Sequence, residues 1–168
     1  MLYCHNVDAA AGTAHASSAT ETAIASHSFP ANFFKGGQVI KWECVLRATA
    51  TVGADTLDTV AYFGVTTLTT AICTTNQVNA VDDDIIYMTG TITMRDVDTS
   101  GTYVAITRTS NLAASAATTG TEDHLTITTA MDLTAAMLLE VGCDWDTANA
   151  NSVQTEVFNV WVESGAER

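Results

Sequence analysis

The feature that most constrains this chain is an alternation of apolar and polar residues over residues 37–50. Ile40, Trp42, Cys44, Leu46 and Ala48 fall on one parity, and Lys41, Glu43, Arg47 and Thr49 on the other. A strand sends successive side chains to opposite faces, so this period of two makes one face apolar and leaves the other wet. Lys35, Gly36 and Gly37 supply the turn that starts it. The same alternation returns in Ile86, Met88, Ile92 and Met94, and in Met137, Leu139, Val141, Cys143 and Trp145. Three such strands, each with one face to bury, specify the core of an antiparallel sheet protein.

Around these three the chain reads as further strands separated by turn signals. Residues 22–29 alternate weakly and run into Pro30, whose missing donor makes them an edge strand. Val52-Gly53-Ala54-Asp55 is a hairpin signal before a partner strand over residues 57–65, and residues 66–73 form a short Thr-rich strand. Asp98-Thr99-Ser100-Gly101 is a turn before residues 103–109. Residues 111–122 read as an Ala/Thr/Ser/Gly loop, Leu125 and Ile127 mark a brief strand, and residues 153–162 form the last one. Eight or nine strands at this spacing, without a convincing helix, predict an all-β antiparallel jelly-roll sandwich over residues 21–168. Trp42 and Trp145 would be its largest core fillers. Residues 1–20 show neither period and are expected to form an extended N-terminal arm, either frayed or docked on a neighbouring subunit.

Composition narrows the function classes. At 168 residues the chain fits one domain with one core. Thr and Ala make up about a third of it, and the formal charge is −13. Nucleic-acid affinity rests on Lys and Arg displacing counterions, so a nucleic-acid partner is not expected. No run of 18 apolar residues occurs, and no membrane-spanning helix is expected. The first thirty residues lack the basic start and continuous apolar stretch of a secretory leader, which points to cytosolic synthesis. Cys4, Cys44, Cys73 and Cys143 form no CxxC pair and are expected as free thiols.

Motifs that carry chemistry are missing from the sequence: it has no GxSxG, GxGxxG, P-loop or HExxH. His124 follows Glu122 and Asp123, but that grouping fits a solvated strand end, and no catalytic or cofactor-binding residue is nominated. The weak candidates for a metal are Asp82, Asp83 and Asp84, whose carboxylates could supply some of the oxygens a calcium ion takes. Asp144 and Asp146 flank Trp145 and read as solubilising. Interface candidates are aromatic. Trp161 lies off the parity of Phe158, Val160 and Val162, so its strand is buried on both faces or presents Trp161 at a contact. Phe33, Phe34 and Tyr3 complete the set.

Several blocks carry a resemblance. Glu21-Thr22-Ala23-Ile24, then Phe29-Pro30-Ala31-Asn32-Phe33-Phe34, then Gly36-Gly37-Gln38-Val39-Ile40-Lys41-Trp42 resemble the opening of a loose family of tailed-bacteriophage virion proteins. Met88-Thr89-Gly90-Thr91-Ile92-Thr93-Met94-Arg95 and Met131-Asp132-Leu133-Thr134-Ala135 are similar to later blocks of that family, and the likeness spans about residues 20–163. Phe33-Phe34 departs from the smaller residues usual after the Asn. What the resemblance implies is a non-enzymatic jelly-roll module of the virion: a head decoration or cement protein, a head fibre or a tail-associated protein. The expected partners are the major capsid protein and further copies of the chain, as a trimer, at the capsid surface. A tail or fibre module that binds a receptor or carbohydrate is the alternative.

Overall fold

The structure is a computed structural model, and it describes residues 2–6, 15–16, 18–49, 55–74, 78–79, 83–112, 121–147 and 149–163. Twelve strands lie among them: β1 (Leu2–Asn6), β2 (His15–Ala16), β3 (Thr22–Phe29), β4 (Val39–Thr49), β5 (Thr56–Gly64), β6 (Ala71–Thr74), β7 (Val78–Asn79), β8 (Asp84–Asp96), β9 (Gly101–Leu112), β10 (Thr121–Met131), β11 (Met137–Trp145) and β12 (Ser152–Glu163). No helix occurs among the described residues. They form two antiparallel sheets. The first has the order β1-β12-β4-β8-β9-β10, with β2 beside the start of β12. The second has the order β3-β11-β5-β6, with β7 beside β5. The chain changes sheet at β2 to β3, β3 to β4, β4 to β5, β7 to β8, β10 to β11 and β11 to β12. Strands far apart in sequence thus become neighbours: β4 lies between β12 and β8, and β11 between β3 and β5. This is the double-sheet arrangement of a jelly roll.

Parity decides which face goes inside. On β4, Ile40, Trp42, Cys44, Leu46 and Ala48 are all buried, and across the sandwich so are Met137, Leu139, Val141, Cys143 and Trp145 of β11. Ile86, Met88, Ile92 and Met94 extend the same layer along β8. Trp42 finds room because its cross-strand partner is Gly90. A Cβ there would stand 2.8 Å from the indole nitrogen, 2.7 Å from Thr107 Cγ2 and 3.0 Å from the Ile106 carbonyl oxygen. Large and small residues interlock at native density here. Cys44, Cys73 and Cys143 are buried thiols. Burial pushes the Cys143 thiol up to about 12, and burial raises that of Cys44 as well, so neither is a thiolate at neutral pH.

One end of the core is aromatic. Phe29, Phe34, Phe63 and Tyr103 stack edge-on or tilted, with ring centres 5.1 to 6.1 Å apart, and the Tyr103 hydroxyl donates to the Phe63 carbonyl at 3.1 Å. Phe34 is 4% exposed and Phe33 packs half-buried against it at 5.2 Å. Phe34 therefore fills the protein's own core and is out of a partner's reach; the turn after Pro30 folds the pair inward, which the sequence pattern did not show.

Four segments differ from the sequence expectation, the first being the hairpin expected at residues 52–55: β4 pairs with β12 and β8, while β5 belongs to the other sheet. Residues 66–70 are not strand; they form a turn with Leu68 and Thr70 at positive φ (52° and 61°), and only Ala71–Thr74 joins the sheet. β10 is a full strand of eleven residues, so Leu125 and Ile127 belong to a long element and not a brief one. Its ladder with β9 holds register from Thr121 to Thr128. At the N-terminus, Leu2–Asn6 pairs with Glu163–Asn159 and His15–Ala16 pairs with Val153–Ser152. These pieces of the arm extend the first sheet through backbone bonds, which need no hydrophobic period.

The far end of the sandwich is closed by a polar latch. Asp55, at the start of β5, accepts from Asn149 Nδ2 and Asn151 Nδ2, both at 2.6 Å, and Asp146 Oδ1 accepts from the Thr56 amide at 3.0 Å. The two amide bonds hold the Asp55 carboxyl below its usual range. They favour the charged form, so their contribution is present above the ordinary carboxylate value of about 3.9 and is lost as pH falls through the lowered one.

Two outcomes follow. Gly90→Ala is expected to cost about 1–3 kcal/mol in denaturant unfolding, because two of the three crowding atoms belong to the packed core and the third is backbone. Asp55→Ala is expected to lower Tm at pH 7, with the gap to wild type closing as pH falls below the ordinary carboxylate range; a gap that persists unchanged into acid would show that the latch is not electrostatic.

Candidate interaction surface

The two sheets treat their outer faces differently. On the second sheet, Glu140 of β11 points outward yet is only 4% exposed. It accepts from Ser26 Oγ at 3.1 Å and from the Leu68 amide at 2.8 Å, so the turn over residues 65–70 is tied down across the face. Glu21 joins from the other side and accepts from the Tyr62 hydroxyl at 2.7 Å. Burial, and then Glu21, raise the Tyr62 phenol well above its ordinary value, so it stays a donor. Gly142 lies beneath both, where a Cβ would meet Glu21 Oε1 at 2.7 Å and Leu68 Cδ2 at 2.8 Å. The protein covers this face itself.

The outer face of the first sheet carries no such cover among the described residues. Its rows run straight across the strands: Leu125 on β10, Ile106 on β9, Thr91 on β8, Lys41 on β4 and Trp161 on β12 are successive partners. The next row is Ile127, Val104, Thr93, Val39 and Glu163. The short Thr side chains of β8 leave a trough between taller neighbours. A groove of about 530 Å³ lies there, with Trp161 and Lys41 along one wall, Ile106, Arg108 and Asp123 along the other, and Thr89 and Thr91 in its floor.

Charge on this face is matched. Lys41 Nζ lies 2.6 Å from Glu163 Oε1, Arg47 Nε 2.8 Å from Glu156 Oε1, and Arg108 engages Asp123 through Nε at 2.6 Å and Nη2 at 3.2 Å. Glu43 accepts from Asn159 Nδ2 at 2.7 Å and from the Tyr87 hydroxyl at 3.2 Å. These exposed pairs add little stability. Their consequence is electrostatic: the face is close to neutral in a chain of net charge −13. The Arg108 guanidinium holds the Asp123 carboxyl below its usual range, so the pair stays charged well into mild acid.

The sequence candidates separate on this background. Trp161 stands on the open face, half-buried at the groove wall. Tyr3 lies on β1 opposite Val162, and its side chain falls outside the described residues. Phe33 and Phe34 belong to the aromatic end of the core. Of the acidic run, Asp82 lies outside the described residues, Asp83 is an exposed turn residue at φ 65° facing Arg47 at 3.7 Å, and Asp84 is fully buried at the start of β8. Asp83 and Asp84 thus occupy opposite environments and do not converge on one ion. Among the described residues no three His, Cys, Asp or Glu side chains gather as metal ligands. Asp123 faces out to Arg108, whereas its neighbour His124 lies at the seam with β6. The sequence reading missed the roles of Ile106, Leu125, Arg108 and Glu140. Leu125 and Ile127 were legible as a strand, but not that their parity is the outward one, which the pairing with β9 sets.

No family model matches the chain, and no curated protein does. Among solved structures it is similar to one described as the structure of infectious bursal disease virus Gx strain, with TM-score 0.40 and 11% identity, covering 100% of this chain and 33% of that one. It is also similar to the infectious bursal disease virus VP2 subviral particle, with TM-score 0.37 and 10% identity, covering 98% of this chain and 37% of that one. The chain spans about a third of the length of the structures it matches. At that level of similarity nothing about its function follows.

Proposed function

We propose that this chain is a non-enzymatic structural protein of a tailed-phage virion, a decoration or cement protein that binds the outer capsid surface and stabilises it by contact. The observation that carries the proposal is the contrast between the two outer faces: one closed by the chain's own turn through Glu140, the other flat, nearly neutral and studded with Ile106, Leu125 and Ile127. Exposed apolar residues grouped on a flat face mark protein contacts, and interface size more than chemistry is what such a module offers. The blocks around residues 21–42, 88–95 and 131–135 support a virion role through their resemblance to tailed-phage proteins. The partners of this reading are the major capsid protein and further copies of the chain, as a trimer. Acidic residues elsewhere keep the free protein soluble before it assembles.

A second reading rests on the groove. Trp161 offers an aromatic wall, and Thr89, Thr91, Lys41, Arg108 and Asp123 offer hydroxyls and charges at its floor and rim. An apolar ring face beside several hydrogen-bonding groups suits a sugar, as a tail or fibre module would need.

The discriminating experiment adds purified chain to phage particles stripped of it and, separately, to a glycan array. Saturable binding at a fixed copy number per capsomer, with raised resistance of the particle to heat, is the expected outcome. Absence of particle binding overturns the cement role. Glycan retention that is abolished by Trp161→Ala would install the second reading in its place.

A further inference from the structure

Among the described residues four large apolar side chains are exposed: Val65 at 45%, Ile106 at 58%, Leu125 at 65% and Ile127 at 57%. Val65 stands alone in the turn after β5. The other three adjoin, with Leu125 directly opposite Ile106 and Ile127 opposite Val104. They lie at the margin of the first sheet, because β10 is the last strand in its order.

Edge strands invite pairing with another chain, and proteins blunt them by shortness, proline, charged side chains (above all lysine) or bulges. The other edges here are blunted. β1 has five residues and β6 four, and β3 runs straight into Pro30. β10 has eleven residues, Thr-Glu-Asp-His-Leu-Thr-Ile-Thr-Thr-Ala-Met, with neither Pro nor Lys; its two acids stand at one end and its bulge at the other, so the run between them is the unprotected part. Its register with β9 is unbroken through eight residues before a bulge at Thr128 and Met131. The long edge is thus also the one bordered by exposed aliphatic side chains.

We propose that β10 is a self-association edge: β10 of a second copy of this chain pairs with it antiparallel about a two-fold axis, joining the two first sheets and bringing Leu125 against its counterpart, with Ile127 diagonal to it and Ile106 in the row behind. A contact about a two-fold axis must be complementary to itself, and this edge is. With Leu125 opposite Leu125 the ladder sets Asp123 against Ile127 and Glu122 against Thr128, so no acid directly faces an acid. Asp123 is in addition neutralised by Arg108 of its own chain. Charge selects the occupant. A basic partner would be drawn to the rest of a surface of net charge −13, and a second acidic copy meets least repulsion where charge is balanced. The pairing rests on the structural role proposed above and names a contact between copies that is distinct from any within a trimer, because a three-fold ring contains no two-fold contact.

The test uses the full chain in solution, without particles. Sedimentation velocity and light scattering between about 1 µM and about 1 mM are expected to show a monomer–dimer equilibrium. Leu125→Lys is expected to weaken it at least about tenfold, since the side chain is exposed in the monomer and two like charges would face each other across the two-fold axis of the dimer. Val65→Lys is the matched control and leaves it unchanged. Amide hydrogen exchange supplies the second readout: β10 amides slow as concentration rises, and those of the covered face around Glu140 do not. A chain that stays monomeric throughout, a dimer indifferent to Leu125→Lys, or a dimer whose β10 amides exchange at the monomer's rate overturns the proposal. Dimerisation with no binding to stripped particles would retain the edge and sink the virion role, so the two can fail separately.

Discussion

The structure depends on one register: the inward parity of β4 must meet the inward parity of β11 across the sandwich. Each strand sits inside its own sheet, β4 between β12 and β8 and β11 between β3 and β5, so each fixes two further strands through its ladders. A slip of one residue on β4 would send Ile40, Trp42, Cys44, Leu46 and Ala48 outward together. Trp42 tightens the constraint, because its indole fits only opposite Gly90, and that pins β8 to the same register. With β4, β8 and β11 placed, the sheet changes on either side of β4 and β11 leave few routes for the remaining strands.

Most of this fold was legible because its signal is periodic. The runs through Trp42, through Met88 and through Val141 announced their faces, and each became a central strand with that face buried. Illegible parts were those whose order comes from backbone or from distant polar partners. Residues 2–6 and 15–16 join the sheet through ladder bonds to β12, whatever their side-chain pattern. The turn over residues 65–70 looked like strand because Thr favours strands, but Glu140, seventy residues on, holds the Leu68 amide in a positive-φ turn. Phe33 and Phe34 followed a proline and looked exposed, and only the meeting of β3, β5 and β9 at one end shows that they complete an aromatic cluster.

The candidate surface was legible in part. Trp161 was marked by its parity, and it does lie on the open face. Its setting was not, since the trough beside it arises from Thr89 and Thr91 lying between taller residues on three other strands, a juxtaposition set by register and invisible in any one segment. The acidic run is a contrasting case. Three adjacent Asp look like a ligand cluster in sequence, but a strand starts within them, and strand geometry drives Asp83 and Asp84 into different environments.

The two outer faces show how a strongly acidic chain divides its surface. Where Glu140 is covered, the protein spends hydrogen bonds from Ser26 and Leu68 on a single buried carboxylate, a cost that makes sense if that face is to be finished and left alone. On the first sheet the charges are arranged laterally instead, Lys41 with Glu163, Arg47 with Glu156 and Arg108 with Asp123, and all three pairs remain exposed. Such pairs contribute little to the fold, so stability does not explain why half of the six basic residues are gathered there. What they do accomplish is to remove net repulsion from one flat face of a molecule whose remaining surface repels its own kind. A face made neutral in this way, with aliphatic side chains at its open edge, has the properties of a contact that forms between crowded acidic copies without drawing them together indiscriminately.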